Sequence, residues 1–359
     1  MATSGFPERK SQLYRGKPET MITENVVLSG MRATGRIHLG NYFGAVKNWV
    51  ELQDKYRCFY FIADWHALTT DYADPSRIGG NSLEMLADLL ASGLDPERSV
   101  IFVQSLVPEH AELHLLLSMI TPLGWLERVP TYKEQIRELS NRDLSTHGFL
   151  GYPVLQTADI LLYRAQYVPV GEDQASHLEL SREIGRRFNS YFGEIFPEPK
   201  ALFTPTPKVP GLDGRKMSKS YGNTIHLSDS AEEVTAKCKQ MFTDPQRIRR
   251  KDAGHPETCN LFQFHRLFSS SELQEKVAGE CRRAQIGCVD DKLLIADEIN
   301  SFLEPIRAKR ETLLEDRDTL LDILFEGSKK ASERAAETME QVRSALSINY
   351  RQLGEEGRQ

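Results

Sequence analysis

Short runs of β-branched and aromatic residues recur along the first half of the chain, with polar segments between them. The runs are NVVLSG (25–30), CFYFIAD (58–64), SVIFVQS (99–105) and YVPVGED (167–173). The intervening segments, for example residues 41–56 and 82–92, are typical of helices. Strands that alternate with helices predict an α/β fold with a mostly parallel sheet, in which ligands bind at the carboxyl ends of the strands.

The pattern changes after about residue 230, because residues 231–348 are rich in charge and have helical periodicity without strand-like runs. The first 20 residues mix four basic with two acidic side chains, which indicates a mobile tail rather than a transit peptide. We therefore expect a tail at 1–24, an α/β domain at 25–225, a helical domain at 226–348 and a polar tail at 349–359.

Composition narrows the class of protein. The 359 residues exceed a usual single domain, and a formal net charge of -6 excludes a chain coated in positive charge, but not a local basic patch that binds nucleic acid. No apolar run approaches the roughly 20 residues of a membrane-spanning helix, and no secretory signal precedes residue 25. Five cysteines do not make a disulfide framework in a chain of this length. We expect a cytoplasmic protein without membrane contact.

A glycine-rich segment, GMRATGRIHLGNYFGA (30–45), follows the first predicted strand. Gly30 and Gly35 have the spacing of a Walker-type loop, but Arg36 and Ile37 stand where that loop needs Lys and Ser or Thr. The glycines are also too widely spaced for a dinucleotide fingerprint. By itself the segment predicts a strand, a turn and a helix, and a purely structural turn is as good an interpretation as a nucleotide site.

A second loop, GLDGRKMSKSYGN (211–223), places Lys216 and Lys219 among serines and glycines. Such a loop is often only a surface turn, but the five residues KMSKS arise by chance in roughly one chain in ten thousand of this length. With HLGN at 38–41, the chain resembles the class I aminoacyl-tRNA synthetases, whose paired signatures are HIGH and KMSKS.

Further stretches resemble the tryptophanyl-tRNA synthetase family in particular, and they cover about residues 25–348. These stretches are SGMRATGRIHLGNYFGA (29–45), ADWHALTT (63–70), VPTYKEQ (129–135), YPVLQTADILLY (152–163) and VPVGEDQASHLELSREI (168–184). The chain departs from the family pattern at a few positions. Asn41 replaces the final His of the first signature, while Arg32 and Gln135 stand where many bacterial members have Gln and Lys.

The resemblance implies a Rossmann-like, parallel-sheet, nucleotide-binding catalytic domain that includes the KMSKS loop, followed by an α-helical anticodon-binding domain. It implies ATP-dependent activation of L-tryptophan to tryptophanyl-adenylate and transfer to tRNA(Trp), with release of AMP and pyrophosphate. Mg²⁺ would bind pyrophosphate oxygens rather than a protein cage. A homodimer is implied by the resemblance alone.

The resemblance also implies three groups of site residues. The catalytic residues are His38, Asn41, Lys216 and Lys219. The ATP-binding residues are Gly30, Arg32, Gly40, Lys133, Gly171, Asp173, Met217, Ser218 and Ser220. The tryptophan-binding residues are Leu28, His66, Tyr152, Gln156, Asp159 and Gln174.

The physical chemistry of amino-acid activation agrees with this assignment. When a carboxylate attacks the α-phosphate of ATP, positioning and stabilisation of negative charge do most of the work. His38 and Asn41, at the start of the helix after the first strand, are expected to donate to phosphate oxygens together with the helix amides. Lys216 and Lys219, on a glycine-flanked loop, are expected to close over the β- and γ-phosphates when ATP binds.

Asp159 is the predicted reader of the indole ring. Tyr152, Gln156 and Asp159 share one face of a predicted helix, and a carboxylate among apolar neighbours is costly without a partner. The indole N–H is a donor and the carboxylate an acceptor, so the two are complementary. The alternative is a helix-surface Asp that bonds a neighbouring basic side chain. His66 is expected in the pocket wall, although a core histidine is nearly as good an interpretation.

Tyrosine is the main rival substrate, because a phenol also donates to Asp159. Where the tyrosyl family tends to have a Tyr in the first strand, this chain has Leu28, which favours tryptophan. By family correspondence, Tyr152 and Gln174 hold the substrate ammonium and Asp173 holds a ribose hydroxyl. The remaining alternatives are a tyrosyl-type enzyme and a synthetase-like paralogue that does not charge tRNA.

Some tryptophanyl enzymes carry four cysteines that hold a four-iron cluster, and this chain has Cys259, Cys281 and Cys288 at nearly that spacing. The fourth position is Asp291, and such a cluster prefers four thiolates. Three alternatives stay open: Asp291 is the fourth iron ligand, distant Cys238 replaces it, or the motif is a relic, which we favour. The helical domain also contains QRIRRKD (246–252), a basic cluster that we expect to contact tRNA phosphates.

Overall fold

The computed structural model describes residues 25–129, 144–171, 175–203, 209–350 and 352. Within these residues, a parallel sheet contains β1 (Val26–Arg32), β2 (Arg57–Ala63), β3 (Ser99–Val103), β4 (Tyr167–Val170) and β5 (Lys200–Phe203). The strand order is β3-β2-β1-β4-β5, the doubly wound order of a Rossmann fold. The direction of strand addition reverses between β1 and β4, and ligands bind at that point in such sheets.

The predicted α/β class and all four predicted strands are confirmed; they are β1 to β4. Strand β1 pairs with β2 from Val26 and Arg57 to Arg32 and Ala63. Strand β5 was missed by the sequence analysis. It is only four residues long, lies among prolines and is exposed at both ends, so it lacks the apolar run that indicates a buried strand.

Helices surround the sheet. In the first part of the chain they are α1 (Leu39–Asn41), α2 (Lys47–Leu52), α3 (Asp64–Asp71), α4 (Ile78–Ala91), α5 (Glu109–Ser118), α6 (Leu123–Leu126), α7 (His147–Leu162) and α8 (Ala175–Phe192). A π-helical turn, Tyr42–Val46, joins α1 to α2, so one continuous helical stretch follows the glycine-rich segment.

Two hydrophobic clusters fill the two faces of the sheet. Along β1, Val27 belongs to the first cluster, whereas Val26 and Leu28 belong to the second, because successive side chains of a strand point to opposite faces. Trp49 stacks on Tyr60 in the first cluster, with ring centroids 4.8 Å apart. Because both faces are buried, the central strands read as nearly continuous apolar runs.

The second part of the chain is helical, as predicted. Its helices are α9 (Ala231–Gln240), α10 (Asn260–Phe268), α11 (Ser271–Arg282), α12 (Cys288–Glu315) and α13 (Arg317–Ala345). These helices share both clusters with the sheet: Leu303 of α12 lies in the first, and Ala335 and Met339 of α13 lie in the second. The predicted domain boundary at residue 225 stays a prediction, and the two regions pack closely across it.

Helix α13 covers the outer edge of β3. The hydroxyl of Ser328 accepts a hydrogen bond of 3.4 Å from the backbone N–H of Val103. A Cβ atom on Gly327 would lie 1.9 Å from the carbonyl oxygen of Ile101, so only glycine allows the helix to approach this closely. Among the helices described, none is long and apolar enough to cross a membrane.

Candidate active site

The two signature motifs lie against each other. His38 and His226 form an isolated antiparallel bridge, in which Leu39 N donates to Ile225 O and Leu227 N donates to Ile37 O, each at 2.9 Å. His226 follows the KMSKS loop by a few residues. The structure therefore brings the residues that follow this loop to the start of α1, far away in sequence.

His38 caps the amino end of α1 in one defined tautomer. Its Nδ1 accepts a hydrogen bond of 3.2 Å from the backbone N–H of Asn41, and Asn41 Oδ1 accepts one of 3.4 Å from the backbone N–H of His38. Burial, together with the nearby charges of Lys219 and His226, lowers the pKa of His38 to about 3. A neutral imidazole that accepts at Nδ1 carries its proton on Nε2, so His38 has one N–H to donate to a ligand.

The side chain of Lys219, from the KMSKS loop, contacts the backbone of the glycine-rich segment. Its ammonium nitrogen is 3.1 Å from the carbonyl oxygen of Thr34 and 3.0 Å from that of Gly35. Gly35 has a φ of 96°, a conformation that glycine adopts without strain and that shapes this turn. Burial lowers the pKa of Lys219 to about 8, although the charge of Asp88 opposes the shift. This ammonium is therefore held by two carbonyl oxygens and loses its proton more readily than an ordinary lysine.

The other KMSKS residues have different environments. Met217 is buried, and a Cβ atom on Gly40 would lie 3.4 Å from Met217 Cβ, so the loop packs directly on α1. The backbone N–H of Ser218 donates to Asn223 at 2.8 Å, and the hydroxyls of Ser218 and Ser220 are 2.8 Å apart.

The lysine that begins KMSKS, Lys216, is exposed. Of the four predicted catalytic residues, His38, Asn41 and Lys219 thus form one group, while Lys216 is at the protein surface.

The remaining predicted ATP-binding residues are only partly accounted for. Gly30 is an exposed residue of β1, and a Cβ atom there would lie 2.4 Å from the ring of Phe61. Arg32 donates to the hydroxyl of Thr70 in α3. Gly171 is exposed just after β4. Lys133 and Asp173 lie outside the described residues, as does Gln174 of the predicted tryptophan pocket.

Asp159 of α7 is the centre of a buried hydrogen-bond network. Its Oδ1 accepts from Gln104 Nε2 and from His110 Nδ1, each at 2.7 Å, and its Oδ2 accepts from His66 Nε2 at 2.8 Å. Burial raises the pKa of this carboxyl, but the hydrogen bonds from His110 and His66 outweigh it and hold the pKa at about 2. The side chain is therefore an ionised acceptor inside the protein, not a helix-surface residue.

This network has capacity for another donor. A carboxylate offers about four acceptor positions, and the three donors from the described residues leave one of them. The Oε1 atom of Gln104 is also buried without a hydrogen-bond partner among the residues described. Two acceptors in the same place match a ligand with N–H groups.

Two residues of this network cannot be recognised from the sequence pattern. Gln104 reads only as the end of the strand SVIFVQS, and His110 reads as an ordinary polar residue of α5. His110 Nε2 lies 2.8 Å from the hydroxyl of Tyr163, so the chain of hydrogen bonds continues beyond Asp159. A polar side chain within the apolar pattern of α5 was the available signal, and a core histidine gives the same signal.

Tyr152 connects the network to α8. Its ring lies edge-on to those of His66 and His177, with centroid distances of 6.5 and 6.0 Å. Gln156 is half-buried on the same helix, and Leu28 is buried in the second hydrophobic cluster. The structure thus brings His66, Tyr152 and Asp159 together, and it adds His177.

The predicted metal ligands do not fit an iron–sulfur cluster. The NH1 atom of Arg247 lies 3.7 Å from Cys281 Sγ and 3.8 Å from Cys288 Sγ, so a guanidinium occupies the space between the two thiols. The NH2 atom of Arg247 donates to the carbonyl oxygens of Arg250 and Ile286 at 2.8 and 2.7 Å. A cation fixed by two carbonyls cannot share this space with a metal cluster.

The proposed fourth ligands are also engaged elsewhere. Asp291 accepts a hydrogen bond of 3.0 Å from His265 Nε2. Cys238 lies in the first hydrophobic cluster, where burial raises the pKa of its thiol to about 12. Across the part of the chain that the structure describes, no group of three His, Cys, Asp or Glu side chains is arranged to hold a metal ion. The geometry thus gives no support to either cluster alternative, in which Asp291 or Cys238 would complete the ligand set of Cys259, Cys281 and Cys288.

The sequence profile of the tRNA synthetases class I (W and Y) matches residues 22–304 of the chain. The chain belongs to this synthetase family. The doubly wound sheet and the contact between the HLGN and KMSKS motifs agree with this membership.

Relatives of this synthetase are tryptophan--tRNA ligases. It is 53% identical over 326 residues to the enzyme of Thermotoga maritima, with 90% of this chain and 99% of that protein covered. It is 46% identical over 392 residues to the enzyme of Aquifex aeolicus, with the same coverage of 90% and 99%. The tryptophanyl-tRNA synthetase of Campylobacter jejuni, solved in complex with ADP and tryptophan, has a TM-score of 0.83 at 36% identity and covers 90% of this chain and 99% of its own.

Proposed function

We propose that this synthetase activates L-tryptophan with ATP and transfers the tryptophanyl group to tRNA(Trp). The observation that carries the proposal is the position of Lys219, whose ammonium lies 3.0 Å from Gly35 O beside the neutral His38. A cation and a single N–H donor at the start of a helix form a site for phosphate oxygens.

In the first step, a carboxylate oxygen of tryptophan attacks the α-phosphorus of ATP. The bond from that phosphorus to the bridging oxygen breaks, and pyrophosphate leaves with the electron pair. His38 Nε2–H and the first amides of α1 hold phosphate oxygens, and Lys219 moves from the carbonyls of Thr34 and Gly35 to the negative charge that develops. Mg²⁺, bound to the phosphate oxygens of ATP, would neutralise part of that charge.

In the second step, a ribose hydroxyl at the 3′ end of tRNA(Trp) attacks the carbonyl carbon of tryptophanyl-adenylate. The carbon–oxygen bond to the phosphate breaks, AMP leaves with the electron pair, and the proton of the attacking hydroxyl is released to solvent. Arg249, Arg250 and Lys251 of the basic cluster are the groups that we assign to phosphates of the bound tRNA.

Tryptophan specificity is assigned to the network around Asp159. Its remaining acceptor position, together with Gln104 Oε1, which has no hydrogen-bond partner among the described residues, suits the indole N–H and the substrate ammonium. A site with buried acceptors rejects an analogue that lacks the donor, because the acceptor would remain unpaired. The tyrosyl alternative has no observation that favours it over tryptophan.

The assembly that we propose is a homodimer in the cytoplasm, where tRNA serves protein synthesis. Leu115, Met119 and Leu123 expose 56%, 69% and 64% of their surface within nine residues at the end of α5 and after it. Large apolar side chains exposed together mark an interaction surface. A second copy of the chain is the occupant that we assign to this surface.

Exchange of labelled pyrophosphate into ATP tests the activity. Exchange that depends on L-tryptophan, and not on L-tyrosine or L-phenylalanine, is the expected result. Exchange with tyrosine alone would overturn the assignment of tryptophan as the substrate. Absence of exchange with all three amino acids would support the alternative that the protein is a paralogue that does not charge tRNA. Sedimentation of the wild type and of Met119→Glu tests the dimer, which the added charge should dissociate.

A further inference from the structure

A buried ion pair connects the helical region to the first signature motif. Arg310 of α12 donates through Nε to Asp88 Oδ1 at 2.6 Å, and its terminal nitrogen also bonds Glu84. Asp88 lies on α4, is 0% exposed, and accepts through Oδ2 a hydrogen bond of 2.7 Å from the backbone N–H of Ile37. Ile37 directly precedes His38. One carboxylate therefore joins an arginine of α12 to the backbone beside the phosphate-binding histidine.

A second arginine of α12 reaches the other strand of the same bridge. Arg307 lies one turn before Arg310 and donates to the carbonyl oxygen of Asp229 at 3.2 Å. The carboxylate of Asp229 accepts a hydrogen bond of 2.7 Å from the backbone N–H of His226, which is bridged to His38. Both halves of the His38–His226 bridge are thus supported from α12.

The Asp88 link is the more deeply buried of the two. Burial raises the pKa of Asp88, and Arg310 and the Ile37 amide oppose that rise. A buried carboxylate needs a charged partner with good geometry, and the planar guanidinium of arginine supplies it with little loss of freedom per hydrogen bond. The Arg310 side chain is 11% exposed, so water has little access to replace it.

We propose that Arg310 is a positioning residue for ATP: acting through Asp88, it sets the place of Ile37 and hence the orientation of His38 toward the α-phosphate. This inference rests on the proposed function. It assigns to α12 a role in amino-acid activation although the helix contributes no group to the substrate. A displacement of about 1 Å at a catalytic group can cost 100-fold in rate, which is the scale on which such a residue acts.

The test compares Arg310→Met with a control, Arg343→Met. Arg343 of α13 also pairs through Nε with a carboxylate, Glu112, at 2.7 Å, but this pair is 35% and 36% exposed and its carboxylate lies on α5, away from the ATP segment. We expect Arg310→Met to lower kcat/KM for ATP in pyrophosphate exchange by about 10- to 100-fold, with KM for tryptophan unchanged. The control should leave the kinetics of ATP within about twofold.

Two further variants keep the test decisive. Arg310→Lys retains the charge but cannot make the paired bonds, so it should recover only part of kcat/KM for ATP. Asp88→Asn should show the same loss of kcat/KM for ATP. Each variant is assayed at the same number of degrees below its own thermal midpoint. Equal losses for ATP and tryptophan, or ATP kinetics like those of the control, would overturn the inference. Absence of tryptophan-dependent exchange in the wild type would instead reject the proposed function.

Discussion

The ammonium nitrogen of Lys219 lies 3.0 Å from the carbonyl oxygen of Gly35, so the last lysine of one signature motif rests on the turn that begins the other. The two residues are 184 positions apart in the chain. The turn lacks the lysine of a Walker-type loop, and Lys219 supplies a cation in its place. We therefore propose that the positive charge of Lys219 takes part in the reaction with ATP.

The activity of the free enzyme toward ATP should fall in mild alkali. The pKa of Lys219 is lowered to about 8, so the side chain is charged below that pH and loses its proton as the pH rises through it. We expect kcat/KM for ATP, which reports the free enzyme, to fall above about pH 8 and to approach a tenfold loss per pH unit. Pyrophosphate exchange from pH 6.5 to about 9.5 measures it.

Lys219→Arg is the control for this pH dependence. A guanidinium stays charged far above pH 10, so any activity that the variant retains should not decline in the same range. A decline of equal size in the variant would assign the titration to another group.

Removal of the Lys219 charge should lower the rate of the reaction with ATP and leave the affinity for tryptophan nearly unchanged. Lys219→Ala is expected to lower kcat for exchange by about 100- to 1,000-fold, because it removes a group that acts on charge in the transition state. The affinity for tryptophan, measured by calorimetry without ATP, should stay within about twofold. Turnover equal to that of the wild type would exclude Lys219 from the mechanism.

Asp159→Asn should raise KM for tryptophan and leave KM for ATP nearly unchanged. Asp159 now accepts from His66, Gln104 and His110, and an amide offers one oxygen and two N–H donors, so at least one donor would be left unpaired. We expect KM for tryptophan to rise about 10- to 100-fold, the effect of losing one or two buried hydrogen bonds.

Asp244→Asn provides a matched control, because Asp244 is a buried carboxylate that also accepts from a histidine, His255, at 2.8 Å but lies in the helical region. It should lower thermal stability without a change in KM for tryptophan. A similar rise of KM in both variants would show that the effect of Asp159→Asn is general destabilisation.

The cysteine cluster should be free of iron and stabilised by Arg247. Protein prepared without oxygen should be colourless and contain far less iron and sulfide than one cluster per chain. Arg247→Met leaves the carbonyl oxygens of Arg250 and Ile286 without their donor, so it should lower the free energy of unfolding by about 1–3 kcal/mol. Denaturation in urea measures this loss.

The comparison for this effect is Arg250→Met. Its guanidinium pairs with Asp290 at the surface, where both side chains are more than half exposed, and such a pair contributes less than about 1 kcal/mol. Stoichiometric iron in the wild type, or equal losses in the two variants, would contradict the role of Arg247.

Features that are encoded within a few consecutive residues, such as the buried strands, could be predicted from the sequence. The apolar runs identified four strands. The phosphate contact of His38 was implied by the family resemblance rather than by the glycine-rich segment itself, and it stays a prediction. Strand β5 could not be found, because four half-exposed residues carry almost no pattern.

Pairings across the fold were beyond the sequence for a different reason. Arg310 and Asp88 are 222 positions apart, and each reads as an ordinary charged residue of a helix. His110 likewise has its partner, Asp159, 49 positions away. Only the packing of α12 on α4, and of α5 on α7, reveals that these side chains meet. The hydrogen bonds beside His38 and those around Asp159 therefore depend on tertiary structure.

The position of α13 over β3 has a consequence for synthesis on the ribosome. Strand β3 is made roughly 200 residues before the helix whose Gly327 and Ser328 cover its outer edge, and an uncovered edge pairs readily with other strands. Until α13 emerges, the nascent sheet has an open side that a chaperone, or a neighbouring nascent chain, can reach. The yield of folded enzyme should therefore depend on translation and chaperones more than the stability of the finished protein would suggest.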